Sequence, residues 1–193
     1  MSGQNKKKKG FPIKNISLAI TTVLFIVLFG AGSIAYDNFL SFSTFFNLFN
    51  DNAYLIIASI GITFVLLTGG IDISIASTIA FTCVFSAFLL RLGWSPLILI
   101  PLVLLIGLAF GALMGYMIHY FKLQPFIVTL AGQFFMRGMC AVISTESIPI
   151  SDEFYKTMAL TKITLLGGRI YFYVFIALAV LLVSLFVLKF TRF

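Results

Sequence analysis

Residues 61–77 read GITFVLLTGGIDISIAS, and the interpretation of the rest of the chain starts from this stretch. An apolar run ends at Gly69-Gly70, one carboxylate follows at Asp72, and the chain becomes apolar again from Ile73. Each glycine disfavours a helix by about 1 kcal/mol. A carboxylate between membrane-like stretches faces protein, water or a helix end. The pattern predicts either a polar turn between two spans or a broken helix that lines a transport path.

Polar side chains within these apolar stretches need partners. Asp72, Ser74 and Ser77 are placed to cap the following helix, because their oxygens accept from its free N–H groups. Arg137 is the only basic residue inside a predicted span, and Asp72 is the only acid available to it there. We therefore hypothesise an Asp72–Arg137 ion pair; the alternative is that Arg137 lines a hydrated cavity or reaches the interface.

Composition places the whole chain in the membrane. Of its 193 residues, 61% are hydrophobic and only 10% are charged, whereas a soluble domain has about 25% charged residues. A span needs about 20 apolar residues, so the length predicts between about five and seven spans. The fold class expected is an all-α, polytopic transmembrane helical bundle with a broken helix near Gly69-Gly70.

The net charge of +7 is concentrated at the N-terminus. Residues 1–15 form a basic tail that we expect in the cytoplasm, because positive residues stay on that side. The first apolar run is longer than the core of a signal peptide, which favours an uncleaved span over a cleaved leader. The cluster is therefore a topology signal rather than a nucleic-acid patch.

Six spans are predicted, with both termini in the cytoplasm. Eight basic residues then fall inside and four outside, in agreement with the positive-inside rule. The spans are 16–36, 53–67, 73–90, 97–120, 126–143 and 170–188; the inner basic residues are Lys6, Lys7, Lys8, Lys9, Lys14, Lys122, Lys189 and Arg192, and the outer ones are Arg91, Lys156, Lys162 and Arg169.

The connectors carry two further expectations. Phenylalanines recur at helical spacing in residues 37–52, which predicts a short helix either at the interface or packed on the bundle. The polar segment 144–169 is expected to be a loop, with Gly167-Gly168 as a simple turn before the last span.

Three glycines lie four residues apart in the fourth predicted span, at Gly107, Gly111 and Gly115. Small residues at this spacing let helices approach closely. They predict helix packing, either within the chain or between two subunits.

The opening stretch resembles the signature of sugar-importing ABC transporter permeases of the ribose, xylose and galactose branch. It departs from that signature at Ile73, Ile75 and Ala76, where the family has Leu, Val and Gly. Residues 124–138, QPFIVTLAGQFFMRG, resemble a second motif of the same permeases. Residues 146–150 resemble the outer loop of galactofuranose-type members, and residues 191–193 the start of the family's T-R-F-G segment. The resemblance implies that the chain ends early, because family permeases continue for several more spans.

The resemblance implies a transmembrane subunit of an ATP-driven monosaccharide importer, with galactofuranose as one candidate sugar. Residues 16–193 would be the N-terminal part of the permease domain in a multi-pass inner-membrane protein. The implied partners are separate ABC ATPase subunits, an extracytoplasmic sugar-binding protein, a second permease subunit and membrane lipid, but no nucleic acid. The substrate path is expected to include Thr68, Gly69, Gly70, Asp72, Ser74, Thr129, Gln133 and Arg137.

No residue pattern predicts catalysis, a metal site or a cofactor. Cys83 and Cys140 lie in apolar runs, His119 stands alone, and the chain lacks a phosphate-binding P-loop. ATP hydrolysis is therefore expected on other subunits. The alternatives are an ion-coupled secondary transporter, for which Asp72 would be the coupling residue, and a membrane scaffold subunit without a path.

Overall fold

Long apolar helices dominate the computed structural model of the chain, which describes residues 13–165 and 168–191. In these residues, seven helices and one two-stranded hairpin follow one another: α1 (Ile13–Ala35), α2 (Phe42–Leu67), α3 (Ile75–Arg91), α4 (Pro96–Tyr120), α5 (Pro125–Ile143), α6 (Glu153–Leu160), β1 (Lys162–Leu165), β2 (Gly168–Tyr171) and α7 (Phe172–Phe190).

The prediction of a polytopic helical membrane protein is confirmed. Five of these helices, α1, α2, α4, α5 and α7, are long and apolar enough to cross a membrane. The remaining predicted span, the third along the chain, is α3, which has 17 residues and is therefore about 25 Å long at 1.5 Å per residue. The hydrocarbon core is about 30 Å thick, so α3 by itself is slightly shorter than a full span.

The start of the second span was predicted wrongly. Residues 42–52 are not a separate connector helix but the first turns of α2. The helix begins after Ser41, whose Oγ accepts from the N–H of Thr44 at 3.1 Å. The polar residue Asn50 is accommodated within the helix because its side chain is buried and hydrogen-bonded to β2.

The polar segment 144–169 is also more ordered than the expected loop. Asp152 caps α6 by accepting from the N–H groups of Phe154 and Tyr155 at 3.0 and 3.2 Å. Burial, with a smaller contribution from the Asp152 carboxylate, raises the pKa of the Tyr155 phenol. The antiparallel hairpin that follows pairs Ile163 with Ile170.

The prediction that Gly168 is a simple turn residue is wrong. Gly167 lies outside the described residues. Gly168 belongs to β2 and is buried, and any side chain there would collide with the ring of Phe46 on α2. The hairpin therefore lies directly against the first turns of α2.

Two sets of elements pack together. Helix α3 packs against α4 and α5, which also contact each other, whereas α2 packs against β2 and α7. Ala53, Val174 and Ala177 form the buried cluster of the second set. Helix α1 contains no buried residue over Leu18–Ala35, and it is attached through Phe29, whose ring lies 5.2 Å from that of Phe39.

Candidate functional site

Helix α2 stops at Gly69 because the backbone there takes a left-handed conformation. The φ angle of Gly69 is +76°, which favours glycine because other residues place Cβ too close to the backbone. Gly69 N–H donates to Leu66 O and Gly70 N–H donates to Val65 O, both at 3.0 Å. This pair of bonds is the Schellman motif, which satisfies carbonyls that the end of a helix leaves free.

The carboxylate of Asp72 is held by the residue two positions ahead. Its Oδ1 accepts from the Ser74 N–H at 2.8 Å and from the Ser74 Oγ–H at 2.7 Å. Ser77 donates its hydroxyl to Ser74 O at 2.6 Å. The prediction that these serines cap α3 is wrong: Ser74 is at the N-cap position but its side chain makes no capping bond, and Ser77 lies inside the helix and donates to Ser74 O. Asp72 Oδ2 has no hydrogen-bond partner within the described chain.

A cavity of about 370 Å³ opens beside this break. Thr129 of α5 closes one side of it, and its hydroxyl lies 2.9 Å from Pro125 O and 3.3 Å from Ile71 O. The second contact links the segment between α2 and α3 to α5, 58 residues away in the chain. The residues around the cavity are Val65, Thr68, Gly69, Gly70, Ile71, Asp72, Gly111, Met114, Gly115, Ile118, Pro125 and Thr129.

Five of the eight residues expected to line the path surround this cavity: Thr68, Gly69, Gly70, Asp72 and Thr129. Ser74 lies behind them, 1% exposed, bonded to Asp72. Gln133 and Arg137 lie one and two turns further along α5 and do not line it.

The hypothesised Asp72–Arg137 ion pair is not formed. Arg137 is exposed, and no ion pair involves either side chain within residues 13–165 and 168–191. Arg137 lies eight residues beyond Thr129 on α5, which is about 12 Å along a helix axis. Thr129 reaches Ile71 O of the broken segment, so Arg137 lies about two helical turns beyond the point where α5 meets this segment.

The opposite wall of the cavity comes from α4, which sequence reasoning had assigned only to helix packing. Gly111 and Gly115 line it together with Met114 and Ile118. Gly107, on the turn before, does not. The spacing of these four residues, at i, i+3, i+4 and i+7, could have shown that they share one face, but not that this face meets the break.

Helix packing within the described chain does not use these three glycines. A Cβ placed on Gly107, Gly111 or Gly115 would meet no atom within 4 Å. The close approach of α4 and α5 occurs instead at Gly132, where a Cβ would lie 2.8 Å from Met114 Sδ. Contact of the three glycines with a second permease subunit stays a prediction.

A second cavity, of about 500 Å³, lies at the opposite end of α3. It is lined by Leu90 and Arg91 of α3 and by Ile148, Pro149, Ser151 and Asp152. The connectors after α3 and α5 therefore lie at one end of the bundle. The cavity at the break lies at the other end, where α4 finishes and α5 begins.

Comparison with known proteins identifies permease proteins as relatives of this chain. The chain is 42% identical over 182 residues to the inner membrane ABC transporter permease protein YjfF of Escherichia coli K12, covering 93% of this chain and 55% of YjfF. It is 36% identical to the fructose import permease protein FruG of Bifidobacterium longum, covering 76% and 44%. It is 31% identical to the ribose import permease protein RbsC of Haemophilus influenzae, covering 68% and 41%.

The chain thus spans about half the length of the curated relatives that it matches. No solved structure matches it. These relatives confirm the resemblance to sugar ABC permeases that the two motifs indicated. Residues 44–193 match the family described as "Branched-chain amino acid transport system / permease component". With most of its length matched, this multi-pass membrane chain belongs to that family of permease components.

Proposed function

We propose that this chain is a transmembrane subunit of an ATP-driven importer for a monosaccharide in the inner membrane. Residues 16–193 belong to its permease domain, and the cavity at the broken helix is part of the substrate path. The observation that carries the proposal is the clustering of Thr68, Asp72 and Thr129 around one cavity at the end of the bundle.

The chemistry of the cavity suits a neutral, hydroxylated substrate. Asp72 Oδ2 is free to accept a hydrogen bond from a sugar hydroxyl, while Oδ1 remains bound to Ser74. A hydrogen bond to a charged group is worth about 1.5–3 kcal/mol, so one such contact orients a sugar without trapping it. Gln133 and Arg137 continue the path along α5.

Transport requires partners that bind the sugar outside the membrane and that couple ATP hydrolysis to its movement. We propose that separate ATPase subunits drive alternating access, that an extracytoplasmic binding protein delivers the sugar, and that a second permease subunit completes the path. Each step shifts the equilibrium only if ATP or sugar binds one conformation better than the other. The names of FruG and RbsC make fructose and ribose the first sugars to test; galactofuranose follows from the outer-loop resemblance.

The test is uptake of radiolabelled ribose and fructose by cells that lack their own importers and express the chain with its partners. Asp72→Asn keeps an acceptor for Ser74 but loses the charge. We expect uptake to fall about fivefold, because a charged hydrogen bond exceeds a neutral one by about 1 kcal/mol. Asp51→Asn, an exposed carboxylate of α2, is the control and should leave uptake unchanged.

An ATPase subunit that cannot hydrolyse ATP separates the alternatives. Loss of uptake with this subunit supports the proposal. Uptake that persists with it, and disappears in Asp72→Asn, would show an ion-coupled transporter instead. Normal uptake in every variant would assign the path to other residues.

A further inference from the structure

Glycine in the middle of a helix needs a physical reason, because it costs about 1 kcal/mol relative to alanine. The usual reason in a membrane helix is close packing of a neighbouring helix. Gly132 has that reason, since a Cβ there would lie 2.8 Å from Met114 Sδ and 3.0 Å from the Phe110 ring. Gly111 and Gly115 do not, since a Cβ at either position would meet open space.

The space beside these two glycines is the cavity itself. Gly111 and Gly115 form its α4 wall with Met114 and Ile118. The N–H and C=O groups of a helix interior are bonded to each other, so this wall offers no hydrogen bonds. The polar groups lie opposite, on the broken segment and on α5. The cavity thus has one apolar side and one polar side.

We infer that Gly111 and Gly115 determine the size of sugar that the cavity admits, an inference that rests on the proposed transport function. A sugar ring presents C–H groups on its faces and hydroxyls at its rim. Its face can lie flat on the glycine wall while its hydroxyls reach Asp72, Thr68 and Thr129. At about 370 Å³ the cavity is at the small end of ligand pockets, which span about 300–1,000 Å³, so a single added side chain removes a significant part of it.

Gly107 provides a matched control within the same helix. It is also a helical glycine of α4 beside which an added Cβ would meet no atom within 4 Å, yet it does not line the cavity. Leucine at Gly111 puts an isobutyl group into the cavity, whereas leucine at Gly107 does not. Both substitutions replace glycine by a strong helix former, so neither should impair folding.

The first measurement is uptake of radiolabelled ribose and fructose by Gly111→Leu and Gly107→Leu in the full chain with its partners. We expect Gly111→Leu to lower uptake about tenfold or more, equivalent to about 1.4 kcal/mol, and Gly107→Leu to retain it. Gly111→Ala should reduce uptake of the hexose more than uptake of the pentose. Equal loss in both leucine variants would identify a helix-packing face and overturn the inference, as would no loss in either.

The second measurement does not depend on transport. Gly111→Cys, Gly115→Cys and Gly107→Cys are made in a chain whose Cys83 and Cys140 are replaced by alanine, and each is labelled with a water-soluble maleimide in detergent. Faster labelling of the first two than of the third supports the cavity wall; equal rates overturn it. If the unsubstituted chain takes up neither sugar, the proposed function fails for those sugars and this labelling still decides the inference.

Discussion

At the scale of single residues, two local hydrogen-bond patterns create the site. Gly69 ends α2 with a positive φ angle of +76°, and Gly70 completes the Schellman motif by donating to Val65. Asp72 then holds the start of α3 through Ser74. All these bonds join residues at most five positions apart, so the break depends on local sequence alone.

Replacement of Gly69 by alanine should destabilise the protein by about 1–2 kcal/mol, because a left-handed conformation costs an L-residue that much. Gly61 is the control: it lies inside α2 in open space, so Gly61→Ala should stabilise by about 1 kcal/mol. Thermal unfolding in detergent measures both. If Gly69→Ala proved as stable as the unsubstituted protein, the positive φ angle would not be what restricts this position to glycine.

At the scale of elements, the β1–β2 hairpin and α2 form one unit. Asn50 Nδ2 donates to Arg169 O at 2.7 Å, and its Oδ1 accepts from Tyr171 N–H at 3.1 Å. One side chain thus satisfies two backbone groups of β2. A buried asparagine is accommodated in α2 because its amide can make both bonds at once.

Removal of the Asn50 amide should destabilise the packing of the hairpin against α2. Asn50→Ala leaves one carbonyl and one N–H without partners, so we expect a loss of about 2 kcal/mol and faster proteolysis within the hairpin. Asn52→Ala removes only a bond to Leu48 O in the same helix and should change stability by less than about 0.5 kcal/mol. Identical unfolding and proteolysis of the two variants would contradict a role for Asn50 in holding the hairpin.

The contact between α4 and α5 depends on the absence of a side chain at Gly132. Gly132→Val forces Met114 and Phe110 aside, and we expect it to destabilise by about 1–3 kcal/mol, as overpacking does. Gly138, on the same helix, has nothing within 4 Å, so Gly138→Val is the matched control. The measurement is thermal unfolding of both variants in the same detergent. A smaller effect at Gly132 than at Gly138 would show that the two helices separate readily.

At the scale of the whole molecule, the connectors sort to two ends of the bundle. Arg91 and Ser151 line one cavity, and Thr68 and Pro125 line the other. This arrangement agrees with α3 and α5 running in the same direction, with α4 returning between them. Combined with the basic N-terminal tail, it agrees with the predicted topology, in which the break between the second and third spans lies on the cytoplasmic side.

Cysteine labelling in intact cells tests this orientation. With Cys83 and Cys140 replaced by alanine, Ser151→Cys should react with a membrane-impermeant maleimide from outside. Gln124→Cys, which lies just before α5 and is exposed, should react only after the cells are permeabilised. The reverse pattern would place the N-terminus outside and contradict the expected topology.

Sequence alone determined the position of most spans and of the break between the second and the third. Apolar length and turn residues located spans three to six to within two residues at each end, and Gly69-Gly70 located the break. These features follow from hydrophobicity and from hydrogen bonds between near neighbours in the chain. The same reasoning missed α6 and the hairpin. The second strand of the hairpin is bonded to Asn50, 121 residues away in the chain, and sequence patterns do not show such distant contacts.

Only the tertiary structure decided which faces of the helices contact each other. That Thr129 reaches Ile71 across 58 residues, and that Gly111 rather than Gly107 lines the cavity, depends on the rotation of each helix about its axis. In a soluble protein, the apolar stripe of a helix indicates that rotation. In a membrane helix, the faces toward lipid and toward protein are both apolar, so the pattern of α4 carries no such signal and packing alone sets its orientation.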